Sequence, residues 1–193
     1  MANAHLPPSP GQTVGPFFHF GLIYPRSNEL VDAGAPGAIR LHGAVRDGDG
    51  APVPDALVEV WQARPDGSAV EHGGHIARDG TFSGFGRAAT DREGLYWFRT
   101  LEPGATAAGG AAFFAVTVFA RGLLDRLFTR AYVPSDALAA DPLLSSLDEA
   151  ARATLVAVRD GDASLRFDIA LQGAAQTAFL DHDAPGDSRR NDE

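Results

Sequence analysis

Glycine and proline constrain this chain more than any other feature. The 22 glycines and 13 prolines of the 193 residues punctuate it throughout, and between them lie short segments of β character. Ile39 to Arg46 alternates apolar and polar residues, which places Ile39, Leu41 and Val45 on one face of a strand. Asp47-Gly48-Asp49-Gly50 is a turn signal. Ala56 to Trp61 reads as a second strand, with Val58 and Val60 on one face and Leu57, Glu59 and Trp61 on the other. Asp91 to Gly94 is another turn, followed by an aromatic strand over Leu95 to Thr100. Ala112 to Ala120 is nearly all apolar, the pattern of a strand covered on both faces. Arg126 to Val133 and Ser164 to Leu171 alternate again. One short helix is expected near 146–158. Ser145 or Ser146 is its candidate cap, Asp148 and Glu149 fill its first turn, and Leu147, Ala151, Leu155 and Val158 follow at helical spacing. Short strands, regular turns and one late helix predict an all-β, two-sheet β-sandwich.

The bulk numbers narrow the function. A net charge of −9 argues against a nucleic-acid partner, because phosphate binding needs a basic surface. It leaves room for a small anion met by one placed arginine. There are no cysteines, which excludes disulfides, zinc–thiolate sites and iron–sulfur clusters. Met1 to Pro10 has no apolar run of signal-peptide length. The longest apolar stretch, Ala111 to Ala120, is too short to span a bilayer. No membrane role is expected, and a cytoplasmic home is the simplest reading. The organisation expected is an N-terminal arm over 1–38, a sandwich domain over 39–181, and a polar, disordered tail over 182–193.

Three ordered segments carry more specific information. The first is Pro10-Gly11-Gln12-Thr13-Val14-Gly15-Pro16-Phe17-Phe18. The second is Gly43 to Asp47, then Gly50-Ala51-Pro52-Val53-Pro54-Asp55-Ala56, then Val58 to Ala63. The third is Gly84-Phe85-Gly86-Arg87, with Thr90-Asp91, Gly94, Phe98-Arg99-Thr100 and Pro103-Gly104 after it. Together they resemble the intradiol ring-cleavage dioxygenases, non-haem ferric enzymes on a β-sandwich that open catechol-type rings between the two hydroxyls. Phe119-Ala120-Arg121-Gly122 and the ending Arg166-Phe167-Asp168-Ile169 resemble the α subunits of the protocatechuate-cleaving branch. The Pro-Val-Pro segment alone also occurs in transthyretin-like sandwiches, where it makes a hairpin.

The resemblance implies an iron site held by two tyrosines and two histidines, the histidines as His-x-His on one strand. Phenolate suits hard Fe(III), and a period of two points both imidazoles to one face. In this chain the histidine positions fall on Phe113 and Ala115, and the tyrosine after Pro103-Gly104 is replaced around Thr106. No metal ligand is therefore assigned here. Tyr24, Tyr96 and Tyr132 are the three tyrosines, and the last two sit inside predicted strands as packing residues. His72 and His75 share a glycine-rich loop with no further ligand nearby, His42 lies on a polar strand face, His19 follows the opening motif, and His182 is in the tail.

The resemblance further implies that Fe(III) belongs to a homologous β subunit, in an αβ hetero-oligomer acting on protocatechuate and O2. Thr13, Gly15 and Pro16 would line the substrate pocket, and Arg121 would meet the substrate carboxylate through paired hydrogen bonds. Arg130, one strand on, reads as an interface or structural arginine. Two alternatives remain at this stage: a self-sufficient catechol dioxygenase, and a transthyretin-like binding module without catalysis.

Overall fold

The computed structural model describes residues 20–70 and 81–180. The alternating segments become strands: β1 (Ala38–Arg46), β2 (Leu57–Gln62), β3 (Phe85–Ala89), β4 (Leu95–Leu101), β5 (Phe113–Phe119), β6 (Leu127–Tyr132), β7 (Val158–Gly161), β8 (Ser164–Arg166) and β9 (Ile169–Ala170). One sheet has the order β4-β1-β8-β7, with β9 also pairing with β1; the other has the order β3-β2-β5-β6. The second sheet is antiparallel throughout, whereas β8 and β9 run parallel to β1. The two-sheet β-sandwich expected from the sequence is the architecture found.

Side chains from both inner faces meet in one core. Leu41, Val45, Phe98 and Leu165 come from the first sheet, and Val58, Val60, Phe114, Val116 and Val118 from the second. Burial at roughly 1.5–3 kcal/mol per large side chain makes this cluster the main source of stability. The Asp47 turn forms as predicted: its Oδ1 accepts the amides of Asp49 at 3.0 Å and Ala51 at 2.9 Å. The Asp91 turn is built likewise, accepting from Glu93 at 3.0 Å and Leu95 at 2.8 Å. Gly43 has a plain reason to lack a side chain. A Cβ there would lie 1.9 Å from the Phe167 carbonyl oxygen, and the Tyr96 hydroxyl donates to that same oxygen.

Two expectations are corrected. Strand β5 is not covered equally on both faces: Phe114, Val116 and Val118 are buried, while Phe113, Ala115, Thr117 and Phe119 are half-buried on the outer face. The single helix over 146–158 is instead two five-residue helices, α1 (Pro142–Ser146) and α2 (Glu149–Ala153), after a 3-10 turn over Asp136–Ala140. Leu147 is extended between them, and Val158 already belongs to β7. The break has a tertiary cause. Leu144 is buried in a small cluster with Ala111, Tyr132 and Leu155, Leu147 packs against it between the helices, and the Leu155 carbonyl accepts the Tyr132 amide at 2.8 Å just after α2 ends.

Asp141 anchors this helical excursion. It is 4% exposed, and its Oδ1 accepts the amides of Leu143 at 3.0 Å and Leu144 at 3.1 Å, capping α1. Oδ1 also accepts the Tyr132 hydroxyl at 3.1 Å, and Oδ2 accepts the Ala111 amide at 3.0 Å. Burial pushes its pKa up, but the Ala111, Leu144 and Leu143 amides and the Tyr132 hydroxyl outweigh burial and hold the carboxyl below its ordinary value of 3.8.

A second device closes the side where β3 and β4, edge strands of different sheets, come together. The Ser27 carbonyl accepts the Arg87 amide at 2.7 Å, the Asn28 carbonyl accepts the Arg99 amide at 2.9 Å, and the Leu30 amide donates to the Arg99 carbonyl at 2.8 Å. One short segment thus satisfies backbone groups on both edges. Leu30 then drops into the core fully buried. Gly86 makes room for it, since a Cβ there would stand 2.5 Å from Leu30 Cδ1.

Leu30→Ala should cost about 2–5 kcal/mol and lower Tm by roughly 5–15 °C, whereas Leu95→Ala, at a half-exposed position, should change it little; thermal melts of the two variants check this. Asp141→Asn should cost about 1–3 kcal/mol at neutral pH. Because the folded carboxyl is depressed, its contribution is present above pH 3.8 and is lost as pH falls through the lower folded value. Denaturant midpoints measured from pH 7 down to pH 2 should therefore converge for the parent and the Asn variant at the acid end.

Candidate functional site

Two places in this fold bear on chemistry, and β5 links them. The first is the outer face of the four-stranded sheet. Phe113 and Ala115, two residues apart, project to that face. Ala115 stands opposite Trp61 on β2 and Arg130 on β6, and Phe113 stands opposite Tyr132. The Phe113 and Tyr132 rings lie 5.5 Å apart. The Arg130 guanidinium sits 4.0 Å from the centre of the Phe113 ring, and its Nη1 donates to the Tyr132 hydroxyl at 3.1 Å. A benzyl group, a methyl group and a guanidinium thus share the ground where the resemblance would place ligands. None of the three can donate an electron pair to a metal. A permanent cation there also opposes a second positive charge. Within this chain Arg130 is tied to Phe113 and Tyr132.

The tyrosines point the same way. Burial pushes the Tyr96 phenol far above its ordinary value. It also raises Tyr132, against the lowering effect of Arg130, and Tyr24, against that of Arg87. The Tyr96 hydroxyl donates to the Phe167 carbonyl and the Tyr132 hydroxyl to Asp141, so both are engaged in structural hydrogen bonds. Thr106 is exposed in the loop between β4 and β5, and its hydroxyl is no phenolate. Among the described residues, no three His, Cys, Asp or Glu side chains converge as a metal cage would require. His42 lies on the outer face of the other sheet, with Nε2 2.9 Å from Asp160 Oδ2. His19, His72, His75 and His182 lie outside the described residues.

The second place is the turn after β5. Arg121 is half-exposed, and its Nη2 donates to Asp55 Oδ2 at 3.1 Å. Asp55 holds a left-handed backbone at φ 62°, just after Pro52-Val53-Pro54. These prolines join Arg121, Leu123 and Gln172 around an open cleft of about 430 Å3. The fold thereby brings together two family-like segments that are remote in sequence: the Pro-Val-Pro-Asp run and the Ala-Arg-Gly run. Thr13, Gly15 and Pro16, the other residues assigned to the pocket, lie outside the described residues. Sequence reasoning missed Asp55 as the partner of Arg121. An aspartate at the start of a strand carries no sign of what it faces until β2 and β5 are paired in register.

Among the described residues, no helix is long and apolar enough to cross a membrane. Comparison with known proteins agrees with the geometry. The family model described as Dioxygenase matches residues 23–173. The protocatechuate 3,4-dioxygenase alpha chain of Burkholderia cepacia is 38% identical, over 91% of this chain and 98% of that one. The protocatechuate 3,4-dioxygenase beta chain of the same organism is 36% identical over 72% of this chain and 66% of that one. Among solved structures, the dioxygenase domain of a dioxygenase carbohydrate-binding protein fusion from Streptomyces sp. SirexAA-E superposes with a TM-score of 0.54 at 26% identity, covering 87% of this chain and all of that one. By its strands, its family motifs and these likenesses, the chain belongs to the intradiol ring-cleavage dioxygenases, a family that uses iron.

Proposed function

We propose that this chain is the α-type, non-iron-ligating subunit of a protocatechuate 3,4-dioxygenase. It completes the pocket in which protocatechuate is opened between its hydroxyls to 3-carboxy-cis,cis-muconate in aromatic catabolism. The observation that carries the reading is β5: at the two family histidine positions it presents Phe113 and Ala115. The residues present do not fit an iron ion. The ferric centre belongs to a homologous β subunit, and the working enzyme is a cytoplasmic αβ hetero-oligomer. The cofactor carries the ring-opening chemistry, and protein supplies orientation and charge.

The role of this chain's own residues follows from where they stand. From Ala115 to Phe119 the strand advances about 13 Å, and Arg121 lies beyond that. That separation from the vacated position supports a contribution of its guanidinium to the partner's centre. Protocatechuate is a benzoate, and a guanidinium can hold its carboxylate through two parallel hydrogen bonds while staying charged at any working pH. Asp55 orients the guanidinium before the ligand arrives. Thr13, Gly15 and Pro16 add pocket wall, the glycine allowing close approach and the proline fixing the backbone.

Co-expressed with the β partner, Arg121→Ala should raise KM for protocatechuate by about 10–100-fold, while catechol, which lacks the carboxylate, should be little affected. Equal losses on both substrates would remove the specific role of Arg121. Metal analysis offers a separate check: the full chain purified alone should retain no more than trace iron and stay colourless, while the co-purified pair should be burgundy from tyrosinate-to-iron charge transfer. Stoichiometric Fe(III) with turnover in this chain by itself would overturn the subunit assignment.

A further inference from the structure

The outer face of the five-stranded sheet carries a feature that the ring-opening role does not use. Strands β1 and β4 set Arg40 directly opposite Arg99. Like charges facing each other across an antiparallel pair repel and weaken the sheet. Trp97, two residues before Arg99, shares their face. The Cζ atoms of Arg40 and Arg99 lie 5.5 and 5.9 Å from the centre of its ring. Arg99 forms an ion pair with Glu29 at 3.1 Å, and Glu29 is shared with Arg26 at 2.8 Å. Among the described residues, Arg40 has no carboxylate partner and contacts the indole instead. In a chain of net charge −9, such an uncompensated cation beside a second one is out of character.

The arginines border a cleft of about 550 Å3, inside the range of roughly 300–1,000 Å3 usual for small-molecule sites. Ile39, Ala38, Gly34 and Ala163 complete its walls with apolar side chains and backbone. The frame is fixed by hydrogen bonds: the Asn28 side chain donates to the Trp97 carbonyl at 3.2 Å, and the Arg40 amide donates to the Ala163 carbonyl at 2.9 Å.

We propose that this cleft is a second ligand site, for a small aromatic carboxylate. A guanidinium takes a carboxylate with paired hydrogen bonds. A bound anion between Arg40 and Arg99 would relieve their repulsion, so the sheet itself favours occupancy. The Trp97 indole supplies an apolar wall for the ring. A bare inorganic anion would meet the charge and leave that wall wet, and a neutral ring would do the reverse. The site is separate from Arg121, which lies beyond the end of β5 in the other sheet.

The chain has two tryptophans, Trp61 and Trp97, so Trp61→Phe leaves Trp97 as sole indole reporter. Benzoate titrated into that full-length variant should quench fluorescence saturably, whereas acetate, inorganic phosphate and benzyl alcohol at the same concentrations should not. Adding Arg40→Gln should weaken benzoate at least about tenfold, and adding Arg92→Gln, in the exposed turn before β4, should leave it unchanged. Equilibrium dialysis of labelled benzoate against the chain with both tryptophans makes the same comparison if Trp61→Phe does not fold. A non-saturating response, an equal response to acetate or phosphate, or undiminished benzoate binding in the Arg40→Gln variant would overturn the proposal.

Discussion

Phe114, Val116 and Val118 point into the space between the two sheets, and their burial fixes the register of β5 against β2 and β6. A strand has a period of two, so slipping by one residue would move every side chain to the wrong face. The register that buries these three also sets Phe113, Ala115 and Thr117 on the outer face, with Ala115 between Trp61 and Arg130. The same register delivers Arg121 to the end of the sheet and Asp55 to the start of β2. Core packing thus decides both what the outer face of the sheet offers and where the half-exposed arginine stands.

The remaining parts are ways of sealing what this arrangement leaves open. Two sheets stacked face to face have unpaired edges, and on one side Ser27 to Leu30 joins β3 to β4 across the gap. Tyr132 stands at one end of β6, with its ring among Leu144 and Leu155 below the two short helices. The helices are too short to be stable alone. Asp141 ties α1 to the Ala111 amide and to the Tyr132 hydroxyl, while Asp148 caps α2 and Arg152 ties it to the Leu144 and Leu147 carbonyls. The excursion is therefore an extension of the sheet's packing, joined to it through the buried Asp141 carboxylate.

Much of this was legible in the sequence where local pattern and burial agree. Ile39, Leu41 and Val45, and likewise Val58 and Val60, alternate along their strands and are all buried. The Asp47 and Asp91 turns are set by an aspartate accepting amides just downstream, a purely local matter. The break between α1 and α2 was not legible, because the cap that starts α1 is also bound to a residue far upstream and the extended Leu147 answers to tertiary packing. The segment at Ser27 to Leu30 shows no periodicity, and its partners lie on two strands from different sheets. At the candidate site the motif disclosed Arg121, yet Asp55 became its partner only through strand pairing. Arg40 and Arg99 each look like an ordinary polar-face residue until β1 and β4 are laid side by side.

Asp55 sits in a left-handed conformation that an aspartate tolerates better than most residues, and it spends that conformation on reaching Arg121. While the turn is open to water, such an ion pair contributes little to stability. Any surface that covers the turn lowers the local dielectric and makes the same contact several times stronger without moving an atom. The grip on the guanidinium is accordingly adjustable from outside: loose on a lone chain, firm once the turn is enclosed.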